Sequence, residues 1–162
     1  MPNQHKKFQF VPFVICLLIP LAIGAIGGFF TMESVKTWYT TLNKPSFNPP
    51  NGIFGPVWTS LYILMGIASY LVWRKREIVS GYSWAFRIYF VQLILNLLWS
   101  FLFFHQHQIG AALIEILVLL ATIITNAFIF YRIDRVAGWL FLPYILWVSF
   151  ASYLTYSIFI LN

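Results

Sequence analysis

The stretch Trp38-Tyr39-Thr40-Thr41-Leu42-Asn43-Lys44-Pro45-Ser46-Phe47-Asn48-Pro49-Pro50-Asn51-Gly52-Ile53-Phe54-Gly55-Pro56-Val57-Trp58 decides how the rest of the chain is read. It holds four of the eight prolines and two of the seven tryptophans in a chain of 162 residues. Proline fixes its own φ and pushes the residue before it out of the helical region, so this segment is not one helix. The same fixed angles, with aromatic side chains at both ends, argue against a floppy linker. The expectation is a structured cap over one end of whatever the flanking segments build.

Those flanks are overwhelmingly apolar. The chain is 60% hydrophobic and 9% charged, against roughly a quarter charged in a soluble domain. Too little charge remains to cover a water-facing surface, so the chain reads as an integral membrane protein. Aromatics make up 20% of the residues, and Trp and Tyr favour membrane interfaces. The single Cys16 rules out an internal disulfide. A net charge of +6 would suit nucleic acid, but the basic residues sit in short loops beside apolar runs, where membrane topology explains them.

A spanning helix needs about 20 mostly apolar residues. Five such runs can be drawn, at about 8–30, 54–73, 82–104, 109–131 and 137–161. The fold class is therefore an all-α membrane protein, one domain over residues 1–162, built as a bundle of five transmembrane helices with a structured first loop. The apolar stretch from Phe8 is too long for a signal-peptide core and lacks a convincing cleavage site, so it is read as a retained helix. Pro20 is expected to kink it, and Gly24 with Gly28 forms a G-x-x-x-G pair that permits close helix approach.

Charge sets the orientation. With five spans, one side carries Lys6, Lys7, Arg74, Lys75, Arg76, Arg87, Arg132 and Arg135, and the other only Lys36 and Lys44. The positive-inside rule then puts the N-terminus in the cytoplasm, and the first loop and the C-terminus outside.

Polar groups at bilayer depth are costly and usually face the bundle interior. Glu115, Thr122 and Asn126 fall at helical spacing on the fourth span and read as one polar stripe. For Thr122 and Asn126 ordinary helix–helix hydrogen bonding is the better reading. For Glu115 a structural and a functional role stay open. Gln92, Asn96, Trp99 and Phe103 share a face of the third span, Trp58 and Tyr62 of the second, and Trp147, Ala151 and Leu154 of the fifth, with Tyr144 one turn earlier. Bulky indoles with a few polar partners on several helices match the lining of a small-molecule pocket, and their flat faces suit a planar aromatic ligand. His105-Gln106-His107 lacks the further ligands a metal needs and reads as a polar hairpin tip, so no metal site is assigned. There is no phosphate loop and no nucleophile triad.

Trp38-Tyr39, Leu42, Lys44-Pro45, Ser46, Pro49-Pro50 and Gly55-Pro56-Val57-Trp58 together resemble the signature of the translocator protein family. That family is also called the tryptophan-rich sensory protein (TspO/MBR) or peripheral-type benzodiazepine receptor family. The likeness continues through Leu61-Tyr62, Met65-Gly66, Tyr70 to Trp73, Leu95-Asn96, Trp99, Phe103-Phe104, Pro143-Tyr144, Trp147, Phe150-Ala151, Leu154 and Tyr156. It implies a five-helix bundle, assembled as a homodimer in the lipid bilayer, with a pocket beneath the first loop. It also implies a receptor or sensor for porphyrins such as protoporphyrin IX and for isoquinoline or benzodiazepine ligands, with no required cofactor. The positions carried over as pocket residues are Tyr39, Pro45, Trp58, Tyr62, Asn96, Trp99, Trp147, Ala151 and Leu154. Trp58 and Trp147 would be catalytic if the chain degrades porphyrin in a light-dependent reaction, and a tetrapyrrole or sterol transporter is the other alternative. Lys44 or Lys36 near the mouth could meet a propionate. The animal cholesterol pattern departs here, because no Lys or Arg follows Tyr153 or Tyr156. The short tails look bacterial.

Overall fold

The computed structural model describes residues 7–162. Lys6, which entered the charge count, lies outside the described residues. The chain forms α1 (Phe10–Lys36), a one-turn α2 (Trp38–Thr41), α3 (Asn51–Trp73), α4 (Tyr82–Ser100) extended by a π turn (Phe101–His105), α5 (Ile109–Ile133), a short α6 (Arg135–Trp139) and α7 (Leu142–Leu161). Among the described residues, five helical spans are long and apolar enough to cross a bilayer, α6 and α7 together making the last. The protein is an integral membrane bundle.

Three boundaries differ from the sequence reading, each for a local reason. α1 runs on to Lys36 because Thr31 to Lys36, though polar, contains neither Gly nor Pro to break it. α3 starts at Asn51, directly after Pro49-Pro50, and keeps Pro56 inside its first turns. The last span is not one helix from residue 137. It breaks at Leu140–Phe141 and restarts with Pro143 in its first turn, where a missing N–H costs least.

The helices pack through glycines where they cross. A Cβ on Gly66 would sit 2.8 Å from the Leu17 Cα and 2.9 Å from the Cys16 carbonyl oxygen, so α1 and α3 touch backbone to backbone. At Gly24 a Cβ would run into the Tyr62 ring. Gly28, its partner in the G-x-x-x-G pair, meets nothing within 4 Å. The close approach therefore stops at Gly24, and above it the two helices part.

The bundle's two ends are held differently. At the end of α5, Asp134 pairs with Lys75 at 2.8 Å and accepts from the Ala137 N–H at 3.1 Å, which caps α6. Burial works to raise the Asp134 carboxyl, but the Lys75 hydrogen bond and charge, with the Ala137 and Val136 N–H groups, outweigh it and hold the group below its usual range. At the opposite end the first loop folds into a cap. Asn43 N–H donates to Asn162 Oδ1 at 2.9 Å, and Asn162 Nδ2 returns a bond of 2.9 Å to the Asn43 carbonyl. Phe47 stacks on Tyr153 at 5.2 Å between centroids.

Candidate functional site: a tryptophan-lined cavity beneath the first loop

Where α1 and α3 part, they leave a cavity of about 530 Å³. Its back wall is α4 and α7, its roof is α2, and its floor is Tyr62. Three indoles line it. Trp58 stacks on Tyr62 at 5.8 Å and 26°, Trp99 stacks on Phe103 at 5.4 Å and 18°, and Trp147 meets Phe54 edge-on at 5.9 Å. The aromatic pairs fix each ring plane, so the lining is rigid as well as apolar.

Of the nine pocket positions read from the sequence, Tyr39, Trp58, Tyr62, Trp99, Trp147, Ala151 and Leu154 line this cavity. Pro45 and Asn96 do not. Pro45 is half-buried in the loop, one residue past the roof's tethers. Asn96 is buried one layer below the floor: its Oδ1 accepts from the Tyr62 hydroxyl at 2.6 Å, and its Nδ2 donates to the Tyr144 hydroxyl at 2.8 Å. The Tyr144 hydroxyl donates in turn to Gln92 Oε1 at 3.0 Å. Helical spacing gave the face of α4 correctly but not the depth.

Apart from that of Ser100, the hydroxyl protons around the cavity are already committed. Thr31, Thr59 and Thr155 each donate to the carbonyl four residues back on their own helix. Tyr39 donates to Asn48 Oδ1 at 2.7 Å, and burial, only partly offset by that bond, pushes its pKa up to about 12. The indole N–H groups of Trp99 and Trp147, by contrast, are buried without a partner among the described residues. An unpaired buried donor costs about 1–3 kcal/mol, so a ligand acceptor at either would be favoured.

The two lysines near the mouth separate cleanly. Lys44 Nζ donates to the Tyr39 carbonyl at 2.7 Å and the Leu42 carbonyl at 3.0 Å, and lies 4.9 Å from the Tyr39 ring centroid, so it serves the loop. Lys36 is exposed and belongs to the cavity lining.

The sequence profile of the TspO/MBR family matches residues 16–161. The chain belongs to the TspO/MBR family. Among its relatives it is 44% identical to a tryptophan-rich protein TspO of Archaeoglobus fulgidus, over 92% of this chain and 95% of that one. It is 34% identical to the translocator protein of Bos taurus, over 90% and 87%, and 36% identical to the tryptophan-rich sensory protein of Cereibacter sphaeroides, over 87% of each.

Within this TspO/MBR chain, the sequence reading missed the α1 wall. Leu21, Gly24, Gly28, Thr31 and Val35 line the cavity, yet α1 is apolar on every side and no aromatic or polar stripe marks a face. The polar stripe on α5 is also split. Glu115 and Asn126 point inward, with both Glu115 oxygens and both Asn126 amide atoms unpartnered among the described residues. Thr122 lies on the bundle's outer side and donates to its own Val118 carbonyl. None of the three lines the cavity. His105 stacks on Phe101, and His107 on Trp38 at 4.1 Å and 16°. Ser34 Oγ donates to the Phe104 carbonyl and lies 3.3 Å from His107 Nε2, which ties the end of α1 to the α4–α5 loop.

Proposed function

We propose that this TspO/MBR protein is a membrane receptor that binds planar tetrapyrroles of the protoporphyrin type, and flat isoquinoline or benzodiazepine ligands, in the cavity beneath its first loop. The observation that carries the reading is the meeting of Trp58, Trp99 and Trp147 on one 530 Å³ cavity. That volume lies within the usual range for small-molecule sites, about 300–1,000 Å³. Flat ring systems gain apolar contact and stacking against indoles, and the committed hydroxyls leave few polar groups that such a ligand must satisfy. The charge count favours placing the loop away from the cytoplasm, and the family resemblance favours a homodimer.

Titration of the purified protein with protoporphyrin IX in the dark, followed by quenching of tryptophan fluorescence, tests the reading. Saturable quenching that weakens in Trp99→Ala and Trp147→Ala supports it, and equal affinity in both variants defeats it. Because Trp58 and Trp147 line the same cavity, light-dependent consumption of the bound porphyrin is the second reading.

A further inference from the structure

We propose that the cavity loads sideways from the bilayer, through a slot between α1 and α3, while the first loop stays closed. This rests on the receptor reading above and adds to it the route and the kind of ligand that can use it: an amphiphile that first dissolves in the membrane.

The cavity's walls are unequal. Among the described lining residues, every exposed one belongs to α1 or α3: Ala25, Met32 and Lys36 on the first, Asn51, Gly55 and Thr59 on the second. No lining residue of the roof or back wall is exposed: Tyr39 stands at 3%, Phe103 at 2% and Ile158 at 1%, with Trp99, Ser100, Phe104 and Trp147 half-buried. The exposed residues recur four or seven positions apart along each helix, so they form two facing rims. The α1 rim runs about 16 Å and the α3 rim about 12 Å at 1.5 Å per residue, roughly one leaflet of hydrocarbon.

The rims are made for lipid contact. Ala25, Met32 and Gly55 are apolar, and the Thr59 hydroxyl is bonded to the Gly55 carbonyl at 2.9 Å, so no unsatisfied side-chain group meets the acyl chains in this stretch. Lys36 and Asn51 stand at the slot's loop end, where headgroups lie. The slot is held open by the crossing below it, since the helices touch at Gly66 and Gly24 and diverge only above Tyr62. A Cβ on Gly28 or Gly55 would meet nothing within 4 Å. The roof, meanwhile, is clasped by Asn43 and Asn162 and stacked through Phe47 on Tyr153. A ligand entering from water would have to break these contacts. One entering from lipid breaks none.

Stopped-flow tryptophan quenching by protoporphyrin IX, with the protein in phosphatidylcholine nanodiscs, tests the route. Gly55→Leu and Met32→Trp narrow the slot from opposite rims. Both are expected to slow association and dissociation together, by about fivefold or more each, because a narrowed gate hinders passage in both directions. Asn162→Ala frees the roof and is expected to leave the association rate within about twofold of wild type. Unchanged rates in both rim variants would overturn the proposal, as would faster association in Asn162→Ala. So would a higher Kd arising from dissociation alone, which marks a filled cavity and not a gate. Absence of saturable quenching in the wild type is a separate outcome that defeats the receptor reading and the slot with it.

Discussion

The Tyr62 hydroxyl donates to Asn96 Oδ1 across 2.6 Å, and so the floor of the cavity is locked from beneath. Asn96 is in turn a donor to Tyr144, whose hydroxyl donates to Gln92. Each member has one defined direction. Asn96→Leu removes the hub and strands the Tyr62 hydroxyl in an apolar interior, at about 1–3 kcal/mol, while Tyr144 keeps its bond to Gln92. A lower thermal midpoint in detergent is expected, together with weaker porphyrin binding through a displaced Tyr62. Tyr62→Phe leaves Asn96 still bonded to Tyr144 and is expected to cost less.

Lys36 and Lys44 are predicted to behave differently toward acidic and esterified ligands. Lys36→Gln should weaken binding of protoporphyrin IX by about threefold to fivefold, the scale of an exposed ion pair, with its dimethyl ester unaffected. Lys44→Gln should lower affinity for both alike, since Lys44 supports the loop through the Tyr39 and Leu42 carbonyls. Side-by-side titration of acid and ester in each variant checks this. Equal loss for both ligands in Lys36→Gln would remove the anionic contact.

Glycine substitutions on α1 should split within one turn. Gly24→Ala drives a methyl into the Tyr62 ring and is expected to destabilise by about 1–3 kcal/mol through overpacking. Gly28→Ala enters open space and should be neutral or stabilising by up to about 1 kcal/mol, from helix propensity alone. Thermal denaturation of the two variants gives the comparison.

Acid should expose the Lys75–Asp134 pair. The Asp134 carboxyl is held below its ordinary range in the folded chain. Its contribution is therefore complete above the unfolded value of about 3.9 and is lost as pH falls through the lower, folded value. The wild-type thermal midpoint minus that of Asp134→Asn should be constant from about pH 7 to 5 and shrink below about pH 4. Asparagine can still accept from the Ala137 N–H, so the difference reports charge and not capping. A difference that does not vary with pH would contradict the assignment.

Light offers a test of the second functional reading. If the bound porphyrin is consumed in the cavity, illumination of the complex should yield a new absorbing product. That product should disappear in Trp58→Phe and Trp147→Phe. Equal bleaching in both variants would mark ordinary photochemistry.

Much of this architecture was legible in the sequence, and the exceptions have physical causes. Apolar runs gave the five spans because a bilayer demands length and hydropathy and little else. Boundaries failed where chain chemistry overrode hydropathy, as at the polar but unbroken end of α1 and at Pro143. Trp58, Trp99 and Trp147 could be placed together because bulky indoles mark a helix face, and the family resemblance added Tyr62 and Leu154. Asn96 shares that face but lies below the cavity, since spacing fixes an angle and says nothing of level. The α1 wall was invisible, being defined by absent side chains: Gly24 and Gly28 look alike in sequence and differ only in what stands opposite. Thr122 illustrates the reverse case, a polar residue whose needs its own helix meets.

The π turn at Phe101–His105 has a wider consequence. Its bond from the Gln106 N–H to the Phe101 carbonyl spans five residues and not four, which advances the helix by one residue, the usual signature of a single insertion. The lower part of α4 can thus keep Gln92, Asn96 and Trp99 in phase with the bundle interior. The upper part adopts its own phase and delivers His107 to Trp38. Removing one residue here would restore a regular helix, rotating everything beyond it by about 100° relative to the wall below. The two halves of α4 are in this sense separate parts joined at one turn, the first lining the cavity through Trp99 and the second lining it through Phe103 while also meeting the loop that covers it through Trp38.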